Sequence, residues 1–284
     1  MRRILLVAAA LALLVVLMTV LRTLVAPRDG ATELSSADMN SARAEFAALL
    51  NGELPGAEPL ANRMGLIVRQ VEQPFRGTII EERPGNAHGQ GAYFIRNAAQ
   101  RPYPMLVTAP HRGAERYTGP LAAAVFAETD ASAAAWNSAP RGRAGNSSGL
   151  DLARLERHLF TAFATAFAEV HPNGRIIQLH GFNPAKRQTE SGRRADVILS
   201  SGSERPSLLI QSIGACLSDS LPSYDVRVFP TEVSELGALN NAQARALHKL
   251  SHDVFVHVEL SLRLRAALID SSELRSAFGE CLQA

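Results

Sequence analysis

The sequence predicts an α/β domain whose mostly parallel or mixed sheet is flanked by helices on both faces, preceded by one N-terminal transmembrane or signal helix. Two observations support this fold class. Short apolar runs typical of strands alternate with helical stretches between residues 104 and 259, and residues 4–20 contain no charged side chain. Strands that alternate with helices indicate a sheet with both faces covered.

The first 26 residues predict a signal anchor or a signal peptide. Residues 4–20 carry no charged or amide side chain and follow the basic pair Arg2 and Arg3, a pattern typical of both. Retention is favoured, because a cut after residue 26 would lack the small residue normally found two places before it. The positive-inside rule keeps the basic pair in the cytoplasm. We therefore expect a periplasmic or extracytoplasmic domain anchored to the inner membrane, with a buried core helix as the alternative for residues 4–20.

The rest of the chain divides into a linker and one domain. Residues 27–40 are polar and rich in Gly, Ser and Asp, which predicts a tether. Residues 41–284 suffice for a single α/β hydrolase-like domain with its own core. The formal net charge is only +2, with basic and acidic side chains mixed along the chain, so no nucleic-acid partner is expected.

The two cysteines, Cys216 and Cys281, are too few and too far apart for a thiolate zinc site. An oxidising compartment permits a disulfide between them, which would attach the C-terminal helix to the body of the domain. Two buried free thiols are the alternative.

Periodicity and turn residues predict the elements of the domain. We expect helices over residues 41–50, 119–136 and 150–170 and strands over residues 65–71, 78–82, 92–96, 104–110, 175–180, 195–200, 224–229 and 254–259. A polar loop, residues 141–148, separates the last two helices. The first three strands are expected to form a meander or hairpin at one edge.

Ionisable side chains stand at the ends of three predicted strands: His111, His180 and Glu259, with Glu115 four residues past His111. The carboxyl ends of strands in an open α/β sheet converge on one crevice, so we expect these groups to meet there. Two imidazoles and one carboxylate form a zinc-hydrolase ligand set with an open position, and a further carboxylate, Glu259, fits the general base. For each histidine alone, a structural role is the alternative.

Three segments carry a resemblance to a known family: HRGAERYT (111–118), QLHGF (178–182) and VELSLR (258–263). They resemble, in order, motifs of the poly-γ-glutamate hydrolase and N-formylglutamate amidohydrolase-like branch of the zinc carboxypeptidase-like fold. The resemblance implies that fold, one zinc ion as cofactor with His111, Glu115 and His180 as ligands, and Glu259 as the catalytic base. One departure is the spacing His-x-x-x-Glu, where zinc carboxypeptidases proper have His-x-x-Glu.

The resemblance also implies zinc-dependent hydrolysis of an amide bond, with a γ-glutamyl, peptide or N-acyl amino acid substrate that carries a carboxylate. The segment NAQAR (241–245) resembles part of the same branch, so Asn241 and Arg245 would bind the substrate carboxylate; a solvated helix face is the alternative. Arg187 and Arg193, in the basic loop after His180, are placed to bind an anionic substrate group. A surface loop is the alternative for them.

Three further interpretations of the sequence remain. His257 shares a strand face with Glu259 by period-2 alternation, so it is a candidate metal ligand or partner of one, or a packed structural histidine. The segment GNSSG (145–149) matches G-x-S-x-G, but no apolar strand precedes it, which disfavours a serine hydrolase. A non-catalytic cell-envelope binding or scaffold protein on an enzyme-like fold is the alternative function. Competent residue types at all four candidate positions favour the enzyme.

Overall fold

A computed structural model describes residues 33–53, 64–73, 75–84, 88–97, 103–139 and 151–283. Within these residues nine strands form one sheet: β1 (Leu66–Val71), β2 (Gly77–Glu82), β3 (Ala92–Arg96), β4 (Tyr103–Ala109), β5 (Ala131–Trp136), β6 (Arg175–Phe182), β7 (Val197–Ser200), β8 (Val226–Val228) and β9 (Phe255–Ser261). Their spatial order is β1-β2-β3-β5-β4-β6-β9-β7-β8.

The sheet is mixed, as predicted. Its centre consists of four neighbouring parallel strands, β5, β4, β6 and β9. The first three strands pair antiparallel and extend the sheet at one edge. At the other edge β7 runs antiparallel to β9 and parallel to β8. The carboxyl ends of β4, β6 and β9 therefore meet at one edge of the molecule.

Helices cover both faces of the sheet, as predicted. They are α1 (Ser36–Leu50), α2 (Thr118–Glu128), α3 (Leu159–Val170), α4 (Glu190–Arg194), α5 (Leu208–Ser220), α6 (Ala242–Lys249), α7 (Leu262–Asp270) and α8 (Ser272–Gln283). One apolar core packs α1, α3 and α6 on the first face, and a second packs α2, α5, α7 and α8 on the other. Alternation along β6 sends Ile176 into the first core and Ile177 into the second.

The helix predicted over residues 119–136 is wrong in its second half. Helix α2 ends at Glu128, and residues 131–136 form β5 with the sequence ASAAAW. Alanine favours helices in isolation, but here Ala133 and Ala135 pack into the first core while Ala134 packs into the second. Small side chains suit a central strand that is buried on both faces, so packing overrides local propensity.

Two predicted boundaries also need correction. The predicted helix over residues 150–170 begins only at Leu159, where the His158 side chain accepts a hydrogen bond from Phe160 N, and turns precede it. The predicted linker over residues 27–40 ends early, because α1 starts at Ser36 with Ser35 as its N-cap. An N-cap oxygen satisfies a free N–H of the first turn and defines the start of the helix.

Several predictions concern residues outside the described part of the chain: the apolar segment 4–20, most of the linker and the GNSSG segment 145–149. Among the helices that the structure describes, none combines the length and the apolar character needed to span a membrane.

Cys216 and Cys281 form a disulfide with a Cα–Cα distance of 5.5 Å. The bond joins α5 to the C-terminal helix α8. Of the two alternatives for the cysteines, the structure therefore contains the cross-link.

Candidate metal centre

The candidate site lies at the carboxyl ends of β4, β6 and β9. His180 pairs with Glu259 across the β6–β9 ladder, and Gln178 pairs with His257 in the same register. Because side chains two residues apart share a strand face, all four lie on the face that α3 and α6 cover. His111 follows the end of β4. The sheet thus brings the predicted histidines and Glu259 together.

His111, Glu115 and His180 place their possible ligand atoms within 4.8 Å of one another. His111 Nδ1 lies 2.8 Å from Glu115 Oε1, and His180 Nδ1 lies 3.6 Å from Glu115 Oε2. Both histidines are buried and Glu115 is largely buried. These donors form a compact group that fits a metal ion.

The turn after β4 determines the position of Glu115. Glu115 N donates to His111 O at 3.0 Å, so one helical turn separates the two residues and their side chains point the same way. Glu115 Oε2 also accepts from Gly181 N at 2.8 Å. The four-residue spacing therefore brings the carboxylate to the histidines, and a backbone donor from β6 holds it there.

The outer nitrogen of each histidine faces an oxygen. His111 Nε2 lies 2.7 Å from Asp151 Oδ1, and His180 Nε2 lies 2.9 Å from Gln178 Oε1. Oxygen acceptors at Nε2 hold a proton on that nitrogen, so Nδ1 is the nitrogen of each imidazole that can bind a metal once it carries no proton. Asp151 was not predicted from the sequence.

A second group, His180, His257 and Glu259, also places its possible ligand atoms within 4.8 Å of one another. His257 Nε2 lies 3.8 Å from Glu259 Oε1. His257 Nδ1 and Glu259 Oε2 are buried, and neither has a hydrogen-bond partner among the described residues. His257 therefore lies beside the site, and both sequence-based alternatives for it agree with its position.

Burial and neighbouring charges shift the protonation of these groups. Burial raises the pKa of Glu259 to about 7 and lowers the pKa of His257 well below its usual value. Burial disfavours charged His111, but hydrogen bonds with Asp151 and Glu115 outweigh it and raise the pKa of His111 to about 9. Burial also disfavours charged Glu115, yet His180 and His111 hold the pKa of that carboxyl well below its usual range.

The site opens into a cavity of about 890 Å³. His111, Glu115, His180, His257 and Glu259 line it together with Asp151. The apolar part of the lining consists of Phe229, Pro230, Leu236, Ala238 and Leu239. Cavities of this size and mixed lining are typical of sites for small molecules.

The predicted substrate residues of the 241–245 segment separate in the structure. Asn241 lines the cavity, but its side chain caps α6 by accepting from Ala244 N and also donates to Gln178 Oε1. Arg245 lies outside the cavity lining and its Nη2 donates to Glu156 Oε1 at 2.7 Å. For Arg245 the arrangement matches the alternative of a solvated helix face.

The arginines of the 187–193 loop also differ from each other. Arg187 is largely buried and lies 3.5 Å from Glu235 Oε2. Burial raises the pKa of Glu259, and the charge of Arg187 offsets only part of that rise. Arg193 is exposed and donates to the carbonyls of Arg187 and Gln188. Arg154, which was not predicted, lines the cavity with a side chain that is 70% exposed. Three cations therefore bear on the site: Arg154 lines the cavity, Arg187 acts on Glu259 by its charge, and buried Arg265 interacts with both Glu115 and Glu259.

No protein-family model and no curated protein matches the sequence. Among solved structures, the chain is similar to a metallo-carboxypeptidase from Burkholderia cenocepacia, with 11% identity, coverage of 88% of this chain and 69% of that chain, and a TM-score of 0.40. It is also similar to an N-formylglutamate amidohydrolase from Ralstonia eutropha JMP134, with 13% identity, coverage of 64% and 93%, and a TM-score of 0.41. At this level of similarity the likeness concerns the fold alone.

Proposed function

We propose that this protein is a zinc-dependent amidohydrolase in which His111, Glu115 and His180 hold one zinc ion and Glu259 is the general base. One observation carries the proposal: both buried imidazoles direct Nδ1 at Glu115 while an oxygen acceptor holds each Nε2. Two imidazoles and a carboxylate are a donor set that zinc accepts, and three protein ligands leave a position for catalysis.

A bound zinc ion supplies Lewis-acid chemistry, which polarises an amide carbonyl and acidifies water. The carboxylate of Glu259 accepts a proton from the attacking water and returns it to the leaving amine. Burial raises the pKa of the Glu259 carboxyl above its usual range, and a carboxylate with a raised pKa is a stronger base than an exposed one. Its pairing with His180 across the β6–β9 ladder supports this role, because His180 is one of the proposed ligands.

The substrate we propose is a small molecule or peptide that carries a carboxylate near the scissile amide, as in a γ-glutamyl, peptide or N-acyl amino acid linkage. Arg187 and Arg154 are the cations placed for that carboxylate, because one acts electrostatically on Glu259 and the other lines the cavity. The apolar part of the cavity lining would accept the aliphatic part of such a molecule.

We place this activity outside the cytoplasm, in the periplasm of a cell whose inner membrane anchors the apolar N-terminal segment. The apolar segment 4–20 behind two arginines supports this location. The disulfide between Cys216 and Cys281 supports it as well, because such bonds persist in oxidising compartments.

The test measures hydrolysis of a panel of γ-glutamyl, peptide and N-acyl amino acid amides by the purified full chain loaded with zinc. We expect activity on at least one member, and a Glu259→Gln variant should lose about 10²–10⁴-fold in rate while it retains zinc. Glu273→Gln, an exposed change on α8, is the matched control and should keep full activity. Zinc binding without hydrolysis of any amide would instead favour the non-catalytic binding protein.

A further inference from the structure

A chain of buried amide side chains runs from His180 to the segment that precedes α3. Gln178 Oε1 faces His180 Nε2 at 2.9 Å, and Gln178 Nε2 donates to Gln243 Oε1 at 3.0 Å. Gln243 Nε2 then donates to Leu152 O at 2.9 Å and to Thr161 Oγ1 at 2.7 Å. Both glutamines have no exposed surface. A buried polar network is costly unless every member has a hydrogen-bond partner, and a fully paired one fixes the orientation of its members.

The direction of the chain is set at its far end. The carbonyl of Leu152 only accepts hydrogen bonds, so the group of Gln243 that faces it must be the NH₂. Gln243 therefore presents its oxygen to Gln178, which must answer with its own NH₂. The oxygen of Gln178 then faces His180, and the imidazole must donate from Nε2.

Asn241 fixes the same orientation independently. Its oxygen accepts from Ala244 N at the start of α6, so its NH₂ is the group directed at Gln178. Gln178 Oε1 is thus surrounded by the NH₂ of Asn241 and the imidazole of His180. A flipped Gln178 would set its NH₂ against the NH₂ of Asn241 and would lose the bond to Gln243.

We infer that Gln178, held by Gln243 and Asn241, is a positioning residue that keeps His180 as the tautomer with its proton on Nε2. The lone pair of Nδ1 is then available on the side of Glu115, where the proposed function needs a metal ligand, and the value of the device rests on that function. The Asp151 carboxylate likewise holds a proton on Nε2 of His111. Its neighbour Leu152 acts on His180 indirectly, because the Leu152 carbonyl fixes the orientation of Gln243 and so of Gln178.

The alternative tautomer of His180, with its proton on Nδ1, also has an acceptor nearby. Glu115 Oε2 lies 3.6 Å from His180 Nδ1 and would accept a hydrogen bond from that nitrogen if it carried the proton. Without the acceptor at Gln178, the neutral imidazole would turn its proton to Nδ1 and face Glu115 as a donor. That form cannot bind a metal through Nδ1.

The test is ¹⁵N NMR of the metal-free full chain labelled at its 8 histidines, at alkaline pH, with His180 signals assigned from a His180→Asn variant. We expect His180 to carry its proton on Nε2 in the wild type. Gln178→Leu should shift the proton to Nδ1, whereas Gln178→Glu should keep it on Nε2, because the oxygen that faces His180 and Asn241 remains an acceptor even though the hydrogen bond to Gln243 is lost. Gln211→Leu, an exposed change on α5, is the control and should leave the signals unchanged.

A zinc competition assay on the same proteins gives a second readout. Gln178→Leu should weaken zinc binding about 10–100-fold, as expected when a group behind a ligand is lost, and Gln178→Glu should bind zinc more tightly than Gln178→Leu. A wild-type His180 with its proton on Nδ1, or unchanged signals in Gln178→Leu, would overturn the inference. A wild type with the Nε2 proton that binds no zinc would support the positioning role and contradict the proposed function instead.

Discussion

His180 and Glu259 are paired across two buried parallel strands, so a proposed metal ligand and the proposed base stand side by side on one face of the sheet. The backbone ladder of β6 and β9 fixes their separation without help from any loop. Groups built on strands are held more precisely than groups on loops. His111 and Glu115 instead lie on the turn after β4, where Gly181 N and Asp151 hold them.

The zinc content of two variants decides whether Glu115 or His257 is the third ligand. We expect Glu115→Ala to lose zinc, because its carboxylate lies between the Nδ1 atoms of both histidines. We expect His257→Ala to retain zinc at wild-type stoichiometry. Elemental analysis of both variants checks this. Normal zinc in Glu115→Ala together with loss in His257→Ala would replace the first ligand set with His180, His257 and Glu259.

Asp151 is expected to tune zinc affinity without binding the ion. Asp151→Ala removes the acceptor 2.7 Å from His111 Nε2, so affinity should fall about 10–100-fold. Titration against a chromophoric chelator measures the change. Asp219→Ala, at an exposed position on α5, is the control. Equal zinc affinities of Asp151→Ala and Asp219→Ala would show that Asp151 does not contribute to zinc binding.

The sequence reveals more of the strands than of the polar groups behind the site. His111, His180 and Glu259 follow recognisable apolar strands, which made their convergence predictable. Asp151 lies far from His111 along the chain, beyond a polar loop, and no local spacing links the two. Contacts of this kind depend on tertiary packing that periodicity does not record.

The same limit applies to β5 and to the basic residues. ASAAAW has a helical propensity that two buried faces override, so one central strand was missed. Arg245 follows Asn241 at helical spacing and was expected to share its site, but its guanidinium turns to Glu156. Side-chain direction beyond the first helical turn is decided by neighbours distant in sequence.

His158 predicts acid sensitivity of the fold. Burial lowers its pKa to about 4 and outweighs the hydrogen bond that Nε2 donates to Gly89 O, which favours the charged form. In the neutral form Nδ1 of His158 accepts from Phe160 N. Its pKa is higher in the unfolded chain, so stability is fully present above about pH 6.5 and falls as the pH drops toward 4. The His158 contribution should decrease by about 2 kcal/mol between pH 7 and pH 5.

Urea unfolding of wild type and His158→Asn at both pH values measures this difference, because asparagine keeps a capping oxygen but does not titrate. His88→Asn, at an exposed site, is the control and should behave as the wild type. The same pH dependence in His158→Asn and the wild type would refute the assignment.

The disulfide should be a major source of stability. It closes a loop with a sequence separation of 65 residues, for which the chain-entropy relation gives about 4 kcal/mol. Denaturation of the wild type with and without reductant should show a loss of this order. A Cys216→Ser/Cys281→Ser variant should be as stable as the reduced wild type, and its stability should not change when reductant is added. A wild type that does not respond to reduction would contradict the prediction.

Zinc content tests the central claim most directly. Elemental analysis of the full chain, purified without chelator and then supplied with zinc, should give about one zinc per chain. A His111→Ala/His180→Ala variant should contain none, while His88→Ala/His252→Ala, at positions outside the cavity lining, should match the wild type. A wild type without zinc, or a His111→Ala/His180→Ala variant that keeps it, would contradict the metal site and the hydrolase built on it.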